Sequence, residues 1–253
     1  GVPPMSSSLS AMADHRQLDV GPDGTLWAFG GTYKASFDQA GASYIPFLGS
    51  GAPQNYPVHF APPTITIGGE ALETHAAAEP RFDDWTAVFD RGAVQERYDV
   101  RKGEVEQLYV FDELPARGEI LLRSKVTSVL AGSSGVDRIT FDGPHGGVAF
   151  PHAIAIDADG RRTAVPTDFI DGSIELRVPA AFVETAVLPL TIDPIVSTIG
   201  LGTSASVNDT SPDIAHDLGQ SRWLIVWERE FSATDDDIYC ELYTSDGDRI
   251  AGS

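Results

Sequence analysis

Apolar and polar residues alternate along short runs through most of the chain, and turn residues separate the runs. Ile174, Leu176 and Val178 alternate with Glu175 and Arg177, which places the apolar side chains on one face of a strand. The chain contains 25 glycines and 17 prolines, many of them between such runs. Turn signals about 8–12 residues apart are typical of β-sandwiches and barrels. The pattern predicts an all-β protein.

Asp-Gly pairs mark tight turns between several of the alternating runs, because this dipeptide suits the positive backbone φ of a hairpin turn. The pairs start at residues 23, 142, 159, 171 and 246. Strands are predicted around these turns and beyond them. The predicted strands include residues 33–37, 64–67, 85–89, 94–100, 106–111, 119–126, 138–141, 173–178 and 190–199.

Helix signals are few. Residues 8–16 combine serine caps with alanine, methionine and leucine, and residues 179–186 begin with a proline, which suits the start of a helix. Residues 70–79 are rich in alanine and give an ambiguous helix signal, which Pro80 ends. We expect fewer than about a fifth of the residues to be helical, against a usual third.

The last part of the chain has the pattern of one β-propeller blade. Strand-like runs occupy residues 211–217, 222–228 and 237–243, and a fourth run begins at residue 249. Residues 222–228 are apolar on both faces, which predicts a central strand. The segment has about the length of the ~40–50-residue propeller repeats, but no second copy precedes it, and closure takes about 4–8 blades. We therefore expect the front part of a longer protein, or a module that needs a neighbour.

Residues 186–194 read AVLPLTIDP and resemble a phrase of the form A-x-[YF]-P-[LV]-T-I-D-P. That phrase ends a β-rich N-terminal module in large secreted and surface proteins of planctomycete and myxobacterial type. The resemblance extends over residues 90–253, although Leu188 stands where an aromatic residue is usual. It implies a bacterial protein at the cell surface or outside the cell, and the start of a propeller-type repeat region. It implies no catalytic residues.

The sequence predicts two domains, and small residues mark the boundary between them. Gly200, Gly202, Thr203 and Ser204 follow the AVLPLTIDP phrase, and such runs are common in linkers. Residues 1–200 are predicted to form an antiparallel β-sandwich-like module. Residues 201–253 are predicted to form the single propeller-blade-like sheet, and residues 47–63 an extended loop of the first module.

The formal net charge is −20, which repels nucleic acid phosphates and anionic lipid headgroups. No apolar run approaches the ~18 residues of a membrane span, and the N-terminus carries no signal-peptide pattern. An acidic surface favours cations, and the run Asp235, Asp236 and Asp237 offers oxygen ligands for calcium. These aspartates are the predicted metal site, and no other cofactor is predicted.

Cys240 is the single cysteine, so the chain forms no internal disulfide. It lies in an alternating strand pattern, which predicts a buried and inert thiol. Trp223 and Trp227 are four residues apart on one face of a strand. They fit either core packing or stacking on a sugar ring.

No G-x-S-x-G, H-E-x-x-H or phosphate-binding glycine loop occurs in the sequence. Adjacent Asp83 and Asp84 point to opposite faces of a strand and form no acid pair by themselves, and His145 lies in a glycine-rich turn. The sequence thus favours a non-catalytic structural or adhesive module with a protein or glycan partner, or self-association through residues 206–253. A carbohydrate-active hydrolase using loop carboxylates and a calcium-stabilised carbohydrate-binding module are the alternatives.

Overall fold

The computed structural model describes residues 17–200 and 209–250. These residues form an all-β protein with three antiparallel sheets, and no closed barrel or propeller occurs among them. The helix α1 (Ala180–Val183) begins after Pro179 and has four residues. The predicted all-β class and low helix content are confirmed. Residues 8–16 lie outside the described residues, and residues 70–79 contain a short strand and no helix.

The strands are short and most are joined by tight turns. The first twelve are β1 (Gln17–Val20), β2 (Leu26–Phe29), β3 (Tyr33–Asp38), β4 (Gly41–Pro46), β5 (Val58–Phe60), β6 (Thr64–Ile67), β7 (Glu70–Leu72), β8 (Arg81–Asp83), β9 (Thr86–Asp90), β10 (Gln95–Val100), β11 (Glu104–Phe111) and β12 (Ile120–Ser128). The others are β13 (Ala131–Ser134), β14 (Arg138–Gly143), β15 (Gly146–Pro151), β16 (Ala153–Ile156), β17 (Arg162–Val165), β18 (Thr167–Ile170), β19 (Ser173–Val178), β20 (Leu190–Asp193), β21 (Ile195–Gly200), β22 (Asp209–Asp217), β23 (Arg222–Ser232) and β24 (Asp235–Thr244).

The contacts divide the chain into two units. Unit 1 comprises residues 1–46 and 56–199, and unit 2 comprises residues 47–55 and 200–253. Residues 47–55 thus group with unit 2, whereas the sequence suggested a loop of the first module. Phe47 packs on Phe231 with ring centroids 5.3 Å apart, and Ala233 donates its N–H to the carbonyl of Ala52. Because these partners are far apart in the sequence, the local pattern of residues does not indicate that they pack together.

Unit 1 contains two of the sheets. In the ten-stranded sheet the order is β1-β2-β3-β4-β5-β12-β19-β18, with β6 and β7 continuing from β12. In the eleven-stranded sheet the order is β13-β14-β15-β21-β11-β10-β9-β8, and β20, β16 and β17 continue from β11. The predicted run 190–199 is divided at Pro194, and both halves, β20 and β21, pair with β11. Proline has no N–H to donate to a ladder.

Side chains from both sheets of unit 1 share one hydrophobic core. Phe37 of β3 lies 6.4 Å from Phe82 of β8 and 5.1 Å from Tyr98 of β10, measured between ring centroids. Phe60 of β5 and Phe150 of β15 lie 6.1 Å apart. Because each pair joins a strand of one sheet to a strand of the other, the two sheets bury their apolar faces against each other.

Unit 2 contains the third sheet, in the order β22-β23-β24. The predicted central position of residues 222–228 is confirmed, because β23 pairs with β22 on one side and with β24 on the other. The run predicted to begin a fourth strand makes an isolated bridge between Arg249 and Tyr243.

Candidate functional site

One face of the unit 2 sheet carries aliphatic side chains that remain accessible. Leu224 lies opposite Leu242, and Val226 lies opposite Cys240, in the pairing of β23 with β24. Ile238 is 74% exposed and Leu224 37% exposed. Large apolar side chains grouped on one exposed surface mark interaction sites more often than isolated ones do. We call these five residues the open face.

The other face of the same sheet is packed near Phe47, whereas Ile214 on the edge strand β22 of that face is 57% exposed. Phe231 and Tyr239 are buried there with Phe47, and Trp227 stacks on Tyr239 with ring centroids 5.8 Å apart. Glu241 is also buried on this side and pairs with Arg249 at 3.2 Å. Successive strand residues point to opposite faces, so one face can be packed while the open face remains exposed.

The predicted burial of Cys240 is wrong, because its side chain is exposed. Its neighbours Tyr239 and Glu241 occupy the packed face, so alternation directs Cys240 to the open face. The apolar pattern of β24 shows a strand with two apolar faces. It does not show which of them has a partner.

Acidic side chains surround the open face. By strand register, Asp213 lies opposite Val226 and Glu228 lies opposite Ile238. We call Asp213, Asp217, Glu228 and Asp236 the acidic rim.

Loss of solvent around the carboxyl and the negative charges of Glu228 and Glu230 raise the pKa of Asp236. In the described strands β22 to β24, Arg222 is the basic residue on this side, and it lies 3.4 Å from Asp217. The rim is therefore crowded with negative charge.

The three aspartates of the predicted metal site begin β24. Asp235 accepts a hydrogen bond from the amide of Asn55, and Asp237 lies opposite Arg229. Alternation turns Asp236 to the other face. Across residues 17–200 and 209–250, no group of three or more His, Cys, Asp or Glu side chains could hold a metal ion. The calcium site stays a prediction, which a rise in Tm with millimolar calcium relative to chelator would test.

Both tryptophans of β23 contact a ring on a neighbouring strand. Trp227 stacks on Tyr239, as described, and Trp223 lies 4.3 Å from the ring of His216. The two indoles are half-buried. Core packing accounts for Trp227, whose ring partner is buried.

A second cluster of charge lies on unit 1, where the carboxyls of Glu106 and Asp193 meet. Burial and the charge of Asp193 raise the pKa of Glu106, although Arg101 binds it. Burial also raises the pKa of Asp193, and its buried Oδ1 has no hydrogen-bond donor. A proton shared between the two carboxyls would satisfy this oxygen. Asp99 adds to the negative charge, and its own carboxylate accepts a hydrogen bond from Thr86 at 2.7 Å.

The Glu106–Asp193 pair was not found from the sequence, since each residue belongs to a different predicted strand and only strand pairing brings them together. The two carboxyls of a glycosidase stand about 5–9.5 Å apart on either side of the sugar. Here Arg101 binds the carboxylate of Glu106, and the charge of Asp193 raises the pKa of Glu106. This arrangement offers little support for glycoside hydrolysis.

Two further residues considered in the sequence have structural partners outside both clusters. His145 lies in the turn between β14 and β15, and its ring lies 6.0 Å from that of Tyr56. Asp83 ends β8 and lies 3.7 Å from Arg81. Neither residue joins the carboxyl pair or the open face.

Comparison of the sequence with protein-family models finds no matching family, and comparison with curated proteins finds no match. In the described part of the chain, no helix has the length and apolar character that a membrane span requires.

Proposed function

We propose that the chain is a non-catalytic structural or adhesive module that associates with another protein through unit 2. In this proposal unit 1 is a β-sandwich that serves as a scaffold, and the three strands of unit 2 are a propeller-blade-like sheet. The sandwich interpretation is supported by the aromatic contacts between the two sheets of unit 1. The resemblance of residues 186–194 supports a place at the bacterial cell surface or outside the cell.

The open face is the observation that carries the proposal. A sheet with apolar residues on both faces gains stability from burying both, at about 25 cal/mol per Å² of apolar area removed from water. In unit 2 Phe231 and Tyr239 of the packed face are buried, whereas Ile238 and Cys240 of the open face are exposed. A partner that covers the open face would therefore remove apolar area from water.

The geometry gives less support to a hydrolase. Catalytic acids and bases stand within reach of a substrate in a cleft. Glu106 is instead buried and bound by Arg101, and Asp193 lies on the neighbouring strand β20. The pair is therefore better explained as part of the strand packing.

Binding of the neutral dye Nile red tests whether the open face is an accessible apolar surface. We expect the folded wild type to enhance the fluorescence of the dye, and Ile238→Ser to reduce the enhancement. Val136→Ser is the matched control, because Val136 is a 98% exposed valine of unit 1 and does not belong to the open face. The proposal would lose its basis if Ile238→Ser bound as much dye as the wild type.

A further inference from the structure

We infer that the open face binds a protein surface with an aliphatic centre and a rim of lysine and arginine. This inference rests on the proposed function and adds the chemistry of the partner to it. It follows from three features of unit 2, namely the side chains at the centre of the face, the charge around them and the charge along the sheet edge.

The centre of the open face is aliphatic. By strand register Val226 lies opposite Cys240, the Leu224–Leu242 pair is next to it on the same face, and Ile238 extends the surface along β24. The two tryptophans and Tyr239 lie on the other side of the sheet, so the open face has no aromatic platform for a sugar or a nucleic acid base. Valine, leucine and isoleucine side chains of a second sheet are its natural complement.

The acidic rim determines the charge of that partner. Electrostatic complementarity places a positive surface against a negative one, and like charges brought together oppose binding. A second copy of this chain would use the same patch on both molecules in a two-fold dimer. It would thereby place Glu228 and Asp236 of one copy near the same carboxylates of the other. The rim thus favours a basic partner over a second copy.

The edge of the sheet is protected against strand addition, so binding should use the face. The edge strand β22 carries Asp209, Asp213 and Asp217, and the other edge strand, β24, begins with three aspartates. Charged side chains on an edge strand discourage pairing with another chain. The partner is expected to present aliphatic side chains toward the centre of the open face and basic side chains toward the acidic rim.

Cys240 allows a direct test because it is the single cysteine of the chain and lies at the centre of the open face. The probes are three nine-residue peptides with serine at the even positions. The odd positions share one strand face. They carry three valines between two lysines in the valine–lysine peptide, three valines between two glutamates in the valine–glutamate peptide, and three serines between two lysines in the serine–lysine peptide. The readout is the rate of alkylation of Cys240 by iodoacetamide at increasing peptide concentration. We expect the valine–lysine peptide to slow alkylation about tenfold at saturation, and the other two to leave the rate unchanged.

Two sets of variants separate the aliphatic centre from the rim. Ile238→Ser should raise the concentration of the valine–lysine peptide that gives half-maximal protection about tenfold. The reason is that the variant removes one aliphatic side chain that the peptide would cover. The control Val136→Ser should not change it. The double variant Glu228→Gln with Asp236→Asn should also weaken protection and reduce its dependence on salt. Circular dichroism verifies that each variant is folded.

The outcomes distinguish the inference from the proposed function. Equal protection by the valine–lysine and valine–glutamate peptides would overturn the basic partner and retain association through the open face. Slower alkylation at higher protein concentration without peptide would make a second copy the occupant of the open face. This result would overturn the basic partner and retain association through the open face. Protection by the serine–lysine peptide would show a purely electrostatic contact and overturn the aliphatic centre. If no peptide protects Cys240, and protein concentration has no effect, both proposals fail.

Discussion

The Nε atom of Arg91 lies 2.6 Å from Oε2 of Glu96, and both side chains are buried in unit 1. Tyr98 donates a hydrogen bond to the same carboxylate at 2.6 Å, and the amide of Gln107 donates to it at 2.9 Å. Arg91 also donates to the carbonyl of Ala76 at 2.9 Å. The charge of each partner is thus compensated inside the core. This network joins β10 and β11 to the segment that precedes β8.

Removing one partner of the Arg91–Glu96 pair should strongly destabilise unit 1. Glu96→Leu leaves the guanidinium charge buried, and we expect it to lower the free energy of unfolding by about 3–5 kcal/mol. Urea denaturation followed by circular dichroism measures the change. Arg91→Met combined with Glu96→Leu should recover part of the loss, because no charge then remains buried. A double variant less stable than Glu96→Leu would contradict this account.

The carboxyl pair should make stability depend on pH. Burial raises the folded pKa values of Glu106 and Asp193 above their unfolded values near 4. Such groups contribute stability below the unfolded pKa and lose it as pH rises through the folded pKa. Asp193→Asn should therefore gain stability relative to wild type as pH rises from about 4 to 7.

The control for this pH dependence is Asp137→Asn. A hydrogen bond from Arg138 and the charge of that residue lower the pKa of Asp137, so its contribution is lost as pH falls. The two variants should deviate from wild type in opposite directions with pH in urea denaturation. Parallel behaviour of the two would count against the carboxyl pair.

Gly41 should not tolerate a side chain. Its φ is +127°, and a Cβ atom there would lie 2.1 Å from the carbonyl oxygen of Phe60. Gly41→Ala must therefore separate β4 from β5, and we expect a loss of more than about 1 kcal/mol in unfolding free energy. Gly103→Ala is the control, because a Cβ atom at Gly103 meets nothing within 4 Å. Equal stability of the two variants would show that β4 and β5 can move apart without a loss of unfolding free energy.

Neutralising Asp236 should stabilise unit 2 at neutral pH. The pKa of this carboxyl is raised by loss of solvent and by Glu228 and Glu230, so its ionised form is penalised in the folded state. We expect Asp236→Asn to raise the Tm at pH 7 and to have less effect near pH 4. A lower Tm at pH 7 would mean that Asp236 makes a favourable contact outweighing the repulsion.

The alternating pattern was sufficient to predict the all-β class and many of the strands. Residues 173–178 and 64–67 form β19 and β6 with the predicted bounds, because each run alternates and ends at a turn residue. β15 was not predicted. Its sequence GGVAFP does not alternate, and its first five residues are buried. A strand that is buried on both faces lacks the signal on which the prediction depends.

By itself the sequence determined the all-β class, the central position of β23 and the dominance of negative charge. The first two properties depend on the spacing of apolar residues within short segments. The third is a sum over the composition of the chain. Only the tertiary structure decided that Cys240 is exposed, that residues 47–55 pack with unit 2, and that Glu106 meets Asp193. Each of these depends on which distant segments pair and on which face of a strand finds a partner. The pattern of a strand with two apolar faces is the same whichever of them is covered.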